Sequence, residues 1–324
     1  MEIVYSNFRR TFLMILGCLL LLTACNSNQE KEQLDEQSKS SKQEDAVTEI
    51  TWPHTYVDSR GKEITLTEKP ERIASVTWMV TENLLALERP PIAADTVAMM
   101  SEWASMKDYF DKYTIEDLGD MNSNLEKLLA MQPDLILATH YNEEVLDQLE
   151  KIAPVIVFDG DALFSNWVES LREVGKALNE TEAAESFISE TMSIVDNGKE
   201  QLKDTNIGTI GFMRLVNKDM YLFDQNQLAM YYDSTKGLGL QVPPNWPKET
   251  GTIQLESLPD INPDHLFVSS GEDPVLFDEL KESSVWQGLI ASQKNQVHAI
   301  DLSGLTGGAL ATRYGVETIL SALQ

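Results

Sequence analysis

The chain has 324 residues, with 52 acidic against 25 basic side chains, a formal net charge of −27 and only two cysteines. A balance this negative argues against nucleic acid as a partner and against a basic surface lying on a membrane. Both cysteines, Cys18 and Cys25, fall at the start of the chain, so the remainder has no thiol for catalysis, for a thiolate metal site or for a disulfide.

Residues 1–24 read as an export signal. Arg9 and Arg10 supply a basic start, and Phe12 to Leu22 is an apolar run too short to span a membrane and stay there. Leu22-Thr23-Ala24-Cys25 follows, and it resembles a lipobox, in which Cys25 is diacylated and becomes the new N-terminus. Glu2, Arg9 and Arg10 together carry +1, so the exported chain would stand near −28. Residues 25–49 hold Asn, Ser, Gln, Glu, Lys and Asp with almost nothing apolar, a composition that cannot bury enough surface to order itself. The expectation is a lipidated cysteine and a polar tether holding a domain at the extracytoplasmic face of a cell membrane.

The folded part is expected from residue 50, in an N-terminal α/β lobe over 50–162, connecting helices over 163–204 and a C-terminal α/β lobe over 205–324. Thr55 to Asp58 and Glu63 to Leu66 flank Ser59-Arg60-Gly61-Lys62 and predict a hairpin. Glu71 to Val76 reads as the first core strand, Thr81 to Leu87 as a helix, Ile92 to Ala94 as a strand and Leu135 to Thr139 as the next. Glu143 to Ile152 has amphipathic spacing, and Pro154 to Phe158 is another buried strand. From Ser165 to Lys203 there is no strand signal; helical spacing runs through Trp167, Leu171, Val174 and Leu178. A break near Asn179 and Thr181 then precedes a longer helix. The second lobe resumes with strands at Ile207 to Leu215 and Met220 to Phe223, a helix at Leu228 to Leu238, strands at Leu266 to Ser269 and Val297 to Ile300, and a terminal helix from Ala309. Strands alternating with helices imply parallel sheets, hence an α/β fold.

One stretch occurs twice. Asn124 to Thr139 and Gln254 to Ser269 align at an offset of 130, with Leu125/Leu255, Glu126/Glu256, Leu128/Leu258, Pro133/Pro263 and Asp134/Asp264 identical. Each copy reads as a short helix, a Pro-Asp corner and a buried strand, and each places a glutamate beside buried leucines, where it faces solvent. This predicts two lobes of similar plan.

The ordered set of GKEITLTEKPERIASV, NLEKLLAMQPDLILAT, KIAPVIVF, IQLESLPDINPDHLFV and VWQGLIASQKNQVHAID, behind a lipobox and tether, resembles the substrate-binding proteins of bacterial ABC importers for ferric siderophores and cobalamin. The resemblance covers essentially everything after residue 50. The chain departs from it at Leu87-Glu88-Arg89-Pro90-Pro91, where family members usually have a small-Gly turn. It implies two α/β lobes joined by a single long helix, a ligand cleft between them, little domain movement, and no cofactor beyond the iron(III)-siderophore ligand. It also implies that Glu126 and Glu256 dock on arginine pockets of a permease dimer served by a cytoplasmic ATPase, the binding protein itself acting as a monomer.

A ferric siderophore arrives with its metal already saturated, so the protein needs polar groups and flat surfaces rather than metal ligands. Loops after strand ends are where these belong, and they offer Trp78, Trp103, His140, Tyr141, Arg214, Trp246 and Arg313. Arg214, a cation beside an apolar strand in an acidic chain, stands first. Trp167, at helical spacing, reads as core. Arg313 can alternatively pair with Glu317, and His140 can serve as a capping residue. His54, His140, His265 and His298 are scattered and no nucleophile–base motif is present, which speaks against an enzyme and against a direct zinc or manganese site. Haem or cobalamin binding in the same fold is the alternative, with Met79, Met213 or His140 as conceivable axial ligands for haem.

Overall fold

The computed structural model describes residues 51–120 and 124–324; the export signal, the tether and Cys25 lie outside the described residues. The predicted hairpin is present, β1 (His54–Val57) pairing antiparallel with β2 (Glu63–Leu66). Two five-stranded sheets follow. The first contains β3 (Ile73–Ser75), β4 (Ala93–Ala94), β5 (Glu116–Asp117), β6 (Leu135–Thr139) and β7 (Val155–Phe158), all parallel, in the order β5-β4-β3-β6-β7. The second contains β8 (Ile210–Val216), β9 (Asp219–Leu222), β10 (Gly251–Ile253), β11 (His265–Ser269) and β12 (Val297–Ala299) in the order β10-β9-β8-β11-β12. β8, β11 and β12 run parallel, while β9 and β10 return antiparallel. β3, β6 and β7, like β8 and β11, are buried at nearly every residue, because helices cover both faces of each sheet.

The repeated stretch has the same local structure in both lobes. Helix Leu125–Met131 ends on Gln132 at φ +48°, and helix Leu258–Ile261 ends on Asn262 at φ +38°. Both helices therefore stop through a left-handed residue ahead of the proline. Asp134 Oδ2 accepts the backbone N–H of Glu71 (2.7 Å) and Arg72 (3.0 Å) just before β3. Asp264 Oδ2 accepts the N–H of Thr209 (2.9 Å) just before β8. In each lobe the corner aspartate thus fastens the start of the neighbouring central strand.

Three predicted elements differ. The first core helix begins at Trp78 rather than Thr81 and runs to Ala86. The stretch from residue 143 to 152 is a 3-10 turn, His140–Val145, followed by one α-turn, Leu146–Leu149. The helix expected from Leu228 to Leu238 is only Ala229–Tyr232. There Asp233 Oδ1 accepts the N–H groups of Thr235 (2.6 Å) and Lys236 (2.9 Å), offering the backbone a turn instead of a further helical bond. The β5 and β10 edge strands, two and three residues long, carry no periodicity that a sequence could display. At the atypical turn after the first helix, Glu88 takes φ +56°, where glycine would be usual. Arg89 holds that turn by bonding the Pro70 carbonyl and pairing with Glu180.

The chain passes from one lobe to the other through a single long helix, and the last helix packs against both lobes beside it. The 22-residue helix Thr181–Leu202 places Ala184, Phe187 and Ile188 in the core of the first lobe and Val195 in that of the second. The last helix, Ala309–Ala322, does likewise: Ala309 and Leu310 join the first core, and Val316, Ile319 and Leu320 the second. The two pack closely where Gly198 leaves room for Leu320.

The start of that last helix is capped from the opposite lobe. Glu82, 1% exposed on the first core helix, accepts the Ala311 N–H at 2.8 Å and also bonds the Leu310 N–H. A side chain on Gly308 would collide with its carboxylate. Burial pushes the Glu82 carboxyl up to about 7, and the two backbone bonds only partly offset it. A carboxyl whose folded value lies above its unfolded one binds its proton more tightly when folded, so its contribution is greatest at low pH. That contribution declines as pH rises from about 4.5 to about 7. Glu82→Gln keeps an oxygen for the Ala311 N–H without the charge. Denaturant melts at several pH values should show the variant gaining about 3 kcal/mol on the wild type across that range. A difference independent of pH would mean that Glu82 does not titrate there.

Candidate ligand cleft

The C-terminal ends of β4, β3 and β6 open side by side, as parallel strands of one sheet must, and a pocket of about 470 Å³ lies over them. Val76 and Thr77 follow β3, Asp95 and Thr96 follow β4, and Thr139, Tyr141 and Asn142 come from the end of β6 and the turn after it. Trp78 and Met79 begin the first helix, and Phe164 closes one side. Asn142 sets the floor: its Oδ1 accepts the Thr139 N–H at 3.0 Å and its Nδ2 donates to the Val76 carbonyl at 3.1 Å. That pair of bonds pins the ends of β6 and β3 together.

The walls are aromatic. Trp78 is half-buried and meets buried Trp103 edge to face, with centroids 5.5 Å apart and planes at 81°. Trp103 therefore supports the wall rather than forming it. Tyr141 is 53% exposed; its hydroxyl donates to Asp161 at 2.5 Å and its ring covers Gly160, where a side chain would clash. Phe164 is 52% exposed on the same opening. His140 does not line the pocket. Its Nδ1 accepts the Gly160 N–H at 3.0 Å, which fastens the Tyr141 turn to helix Gly160–Ser165.

Asp95 is the single carboxylate among the described lining residues and is 3% exposed. Burial, with Asp117 and Asp120 adding to it, raises its carboxyl to about 7; a weak 3.5 Å bond from the Thr96 hydroxyl pulls the other way. Sequence reasoning missed Asp95, Asn142 and Phe164. The rule that found the other candidates, looking just past strand ends, applies equally to Asp95, which follows Ala93-Ala94 directly.

The cationic candidates are engaged elsewhere. Arg214, near the end of β8, donates from Nε and a terminal nitrogen to both carboxylate oxygens of Glu272, at 2.5 and 2.7 Å. That two-point pair occupies the guanidinium and raises its pKa further above the ordinary value. Arg313 is corrected from ligand contact to clamp: its Nε donates to Thr191 Oγ1 (2.9 Å) and a terminal nitrogen to the Phe187 carbonyl (3.1 Å). Its guanidinium lies 3.8 Å over the Phe187 ring. The anticipated partner Glu317 gives way to Glu190, at 3.3 Å. Trp246 is likewise corrected. It is 7% exposed in the core of the second lobe, covers Gly211 and donates its indole N–H to the Phe223 carbonyl at 2.8 Å, leaving no face for a ligand. Trp167 is core, as its spacing predicted.

Glu126 and Glu256, at the matching positions of the repeat, are both exposed, and neither makes an ion pair with another described residue. Glu126 lies in the first turn of its helix, behind the Asn124 cap on the Lys127 N–H (3.0 Å). Glu256 lies in the 3-10 turn Leu255–Ser257.

Comparison with known proteins agrees with this architecture. The Fe(3+)-citrate-binding protein YfmC of Bacillus subtilis (strain 168) is 29% identical over 183 residues, 55% of this chain and 56% of that protein. The iron(3+)-hydroxamate-binding protein FhuD of the same strain is 30% identical over 204 residues, 59% of this chain and 62% of that protein. The matched stretch thus spans less than two thirds of either relative. The crystal structure of the triscatecholate siderophore binding protein FeuA from Bacillus subtilis, complexed with ferri-bacillibactin, superposes with a TM-score of 0.64 at 23% identity. The overlap covers 83% of this chain and 97% of that one. Residues 73–302, from β3 to just beyond β12, match the family described as periplasmic binding protein, and the chain belongs to that family.

Proposed function

We propose that the protein captures an iron(III)-siderophore outside the cytoplasm and hands it to the permease of an ABC importer. The observation that carries this reading is the pocket over β4, β3 and β6, walled by Trp78, Tyr141 and Phe164. Its volume suits a small organic ligand, and its aromatic faces suit the organic shell of a chelate whose metal needs no further ligands. As a member of a binding-protein family the chain holds its solute and does not transform it. Haem is the weaker reading: Met213 is fully buried in the second core and His140 stands outside the lining, leaving Met79 as the single candidate axial ligand in the pocket.

Two further parts belong to the proposal. Cys25 carries a lipid that holds the protein at the membrane; no helix among the described residues is long and apolar enough to cross one. Glu126 and Glu256, one exposed carboxylate per lobe at equivalent places, meet arginines on the two subunits of the permease, coupled to a cytoplasmic ATPase, while the binding protein acts as a monomer. Carboxylate–guanidinium pairs are strong when desolvated and can be bidentate.

Three outcomes test this. Titration with ferric siderophores should quench tryptophan fluorescence one-to-one, and Trp78→Ala should weaken binding about tenfold, ~1.4 kcal/mol. Arg214→Ala, whose guanidinium must first leave Glu272, should cost less. Wild-type affinity in the Trp78 variant would remove it from the site. Glu126→Ala/Glu256→Ala should keep ligand affinity and melting temperature yet abolish most iron-chelate uptake in a strain lacking the native protein; normal uptake would end the docking role. Cys25→Ala should lose detergent-phase partitioning, and unchanged membrane association would refute lipidation.

A further inference from the structure

The ionisable groups around the pocket say which chelates it takes. Of the ten described residues lining it, Asp95 is the one acid, Tyr141 adds a phenol, and none is Lys, Arg or His. The carboxylates of Asp117 and Asp120 stand close enough to be felt at Asp95, while the β3 end beside it contributes Ser75, Val76 and Thr77, which carry no charge. Met121, Asn122 and Ser123, next in the chain, bring no cationic side chain. In the second lobe, Arg214 is neutralised by Glu272 across two hydrogen bonds.

Ferric chelates differ in charge by simple addition. Three hydroxamates, each a monoanion, balance iron(III) to zero, and a pendant ammonium makes the complex cationic. Three catecholate dianions leave it strongly anionic, and citrate complexes are anionic as well. An anionic chelate entering this pocket would leave water to meet a negative field with no counter-charge. A neutral one loses little, and a cationic one gains a partner in Asp95.

Resting on the siderophore reading above, we infer that the pocket selects ferric chelates of zero or positive net charge, of the trihydroxamate kind, and rejects ferric citrate and ferric tris-catecholates. Asp95 is the residue that favours a pendant cation. Because its carboxyl titrates near neutrality in the empty pocket, a bound cation draws it into the charged form, so cation affinity rises with pH through that range.

The test is a fluorescence titration of the full chain in detergent with four probes at physiological salt. They are a linear ferric trihydroxamate bearing one ammonium, a neutral cyclic ferric trihydroxamate, ferric citrate and a ferric tris-catecholate. Both trihydroxamates should bind at least tenfold tighter than either anionic probe. Between pH 6 and 8 the ammonium-bearing chelate should tighten several-fold and the neutral one should not. Asp95→Asn should erase the pH dependence that sets the ammonium-bearing chelate apart from the neutral one, and a difference that survives in the variant would remove Asp95 from that role. Ferric citrate or tris-catecholate binding as tightly as the trihydroxamates would overturn the charge selection and leave the siderophore reading intact. Binding of haem or cobalamin with no response to any of the four iron chelates would overturn both. The comparison of probes is made on the wild type, so it does not depend on how well the Asp95 variant folds.

Discussion

Glu82 rises from the first helix of the N-terminal lobe and gives its carboxylate to the opening N–H groups of the last helix in the chain, 229 residues away. A helix start leaves backbone donors without partners, and a buried start must find acceptors or lose stability. Here the acceptor comes from the other end of the sequence, so the start of the last helix depends on a residue of the first lobe. That helix and Thr181–Leu202 each contribute side chains to both cores, and Arg313 binds one to the other. Two packed helices crossing between lobes resist bending far more than a flexible linker would.

The same contact borders the ligand pocket. Trp78, Met79 and Phe164, which line the pocket, also line the small void beside Glu82, Gly307 and Gly308. Ligand wall and interlobe cap therefore share side chains.

The two lobes are variations on one plan. Their sheets have matching strand orders, and at the matching places both use a left-handed residue to stop a helix and an aspartate to fasten the neighbouring strand. They part at the strand next to the central one on that side: β4 is parallel to β3, whereas β9 is antiparallel to β8. The reason is connection length. β9 follows β8 after the two residues Asn217 and Lys218, both in the left-handed region, which permits a hairpin and no crossover. β4 follows β3 through a helix, as parallel pairing requires. The pocket lies on the lobe whose strands all end on one edge.

The sequence by itself determined whatever depends on near neighbours. The hairpin, the buried strands, the long helix and its break, the repeated αβ unit and the α/β class all follow from spacing and from turn residues a few positions apart. So does the core place of Trp167. The aromatic wall was partly legible as well, since Trp78 and Tyr141 stand just past strand ends. Only the tertiary structure decided which charged groups remain available to a ligand. Arg214 meets Glu272 58 positions on, Arg313 meets Thr191 122 positions back, and Trp246 finds the Phe223 carbonyl inside a core. Asp95 follows a strand end in the sequence, but its burial in the pocket lining is set by the fold. A side chain's type and spacing say what it can bond, but the partner that reaches it is set by chain folding over tens or hundreds of residues. In a chain this acidic, the competition for each arginine is settled by that geometry.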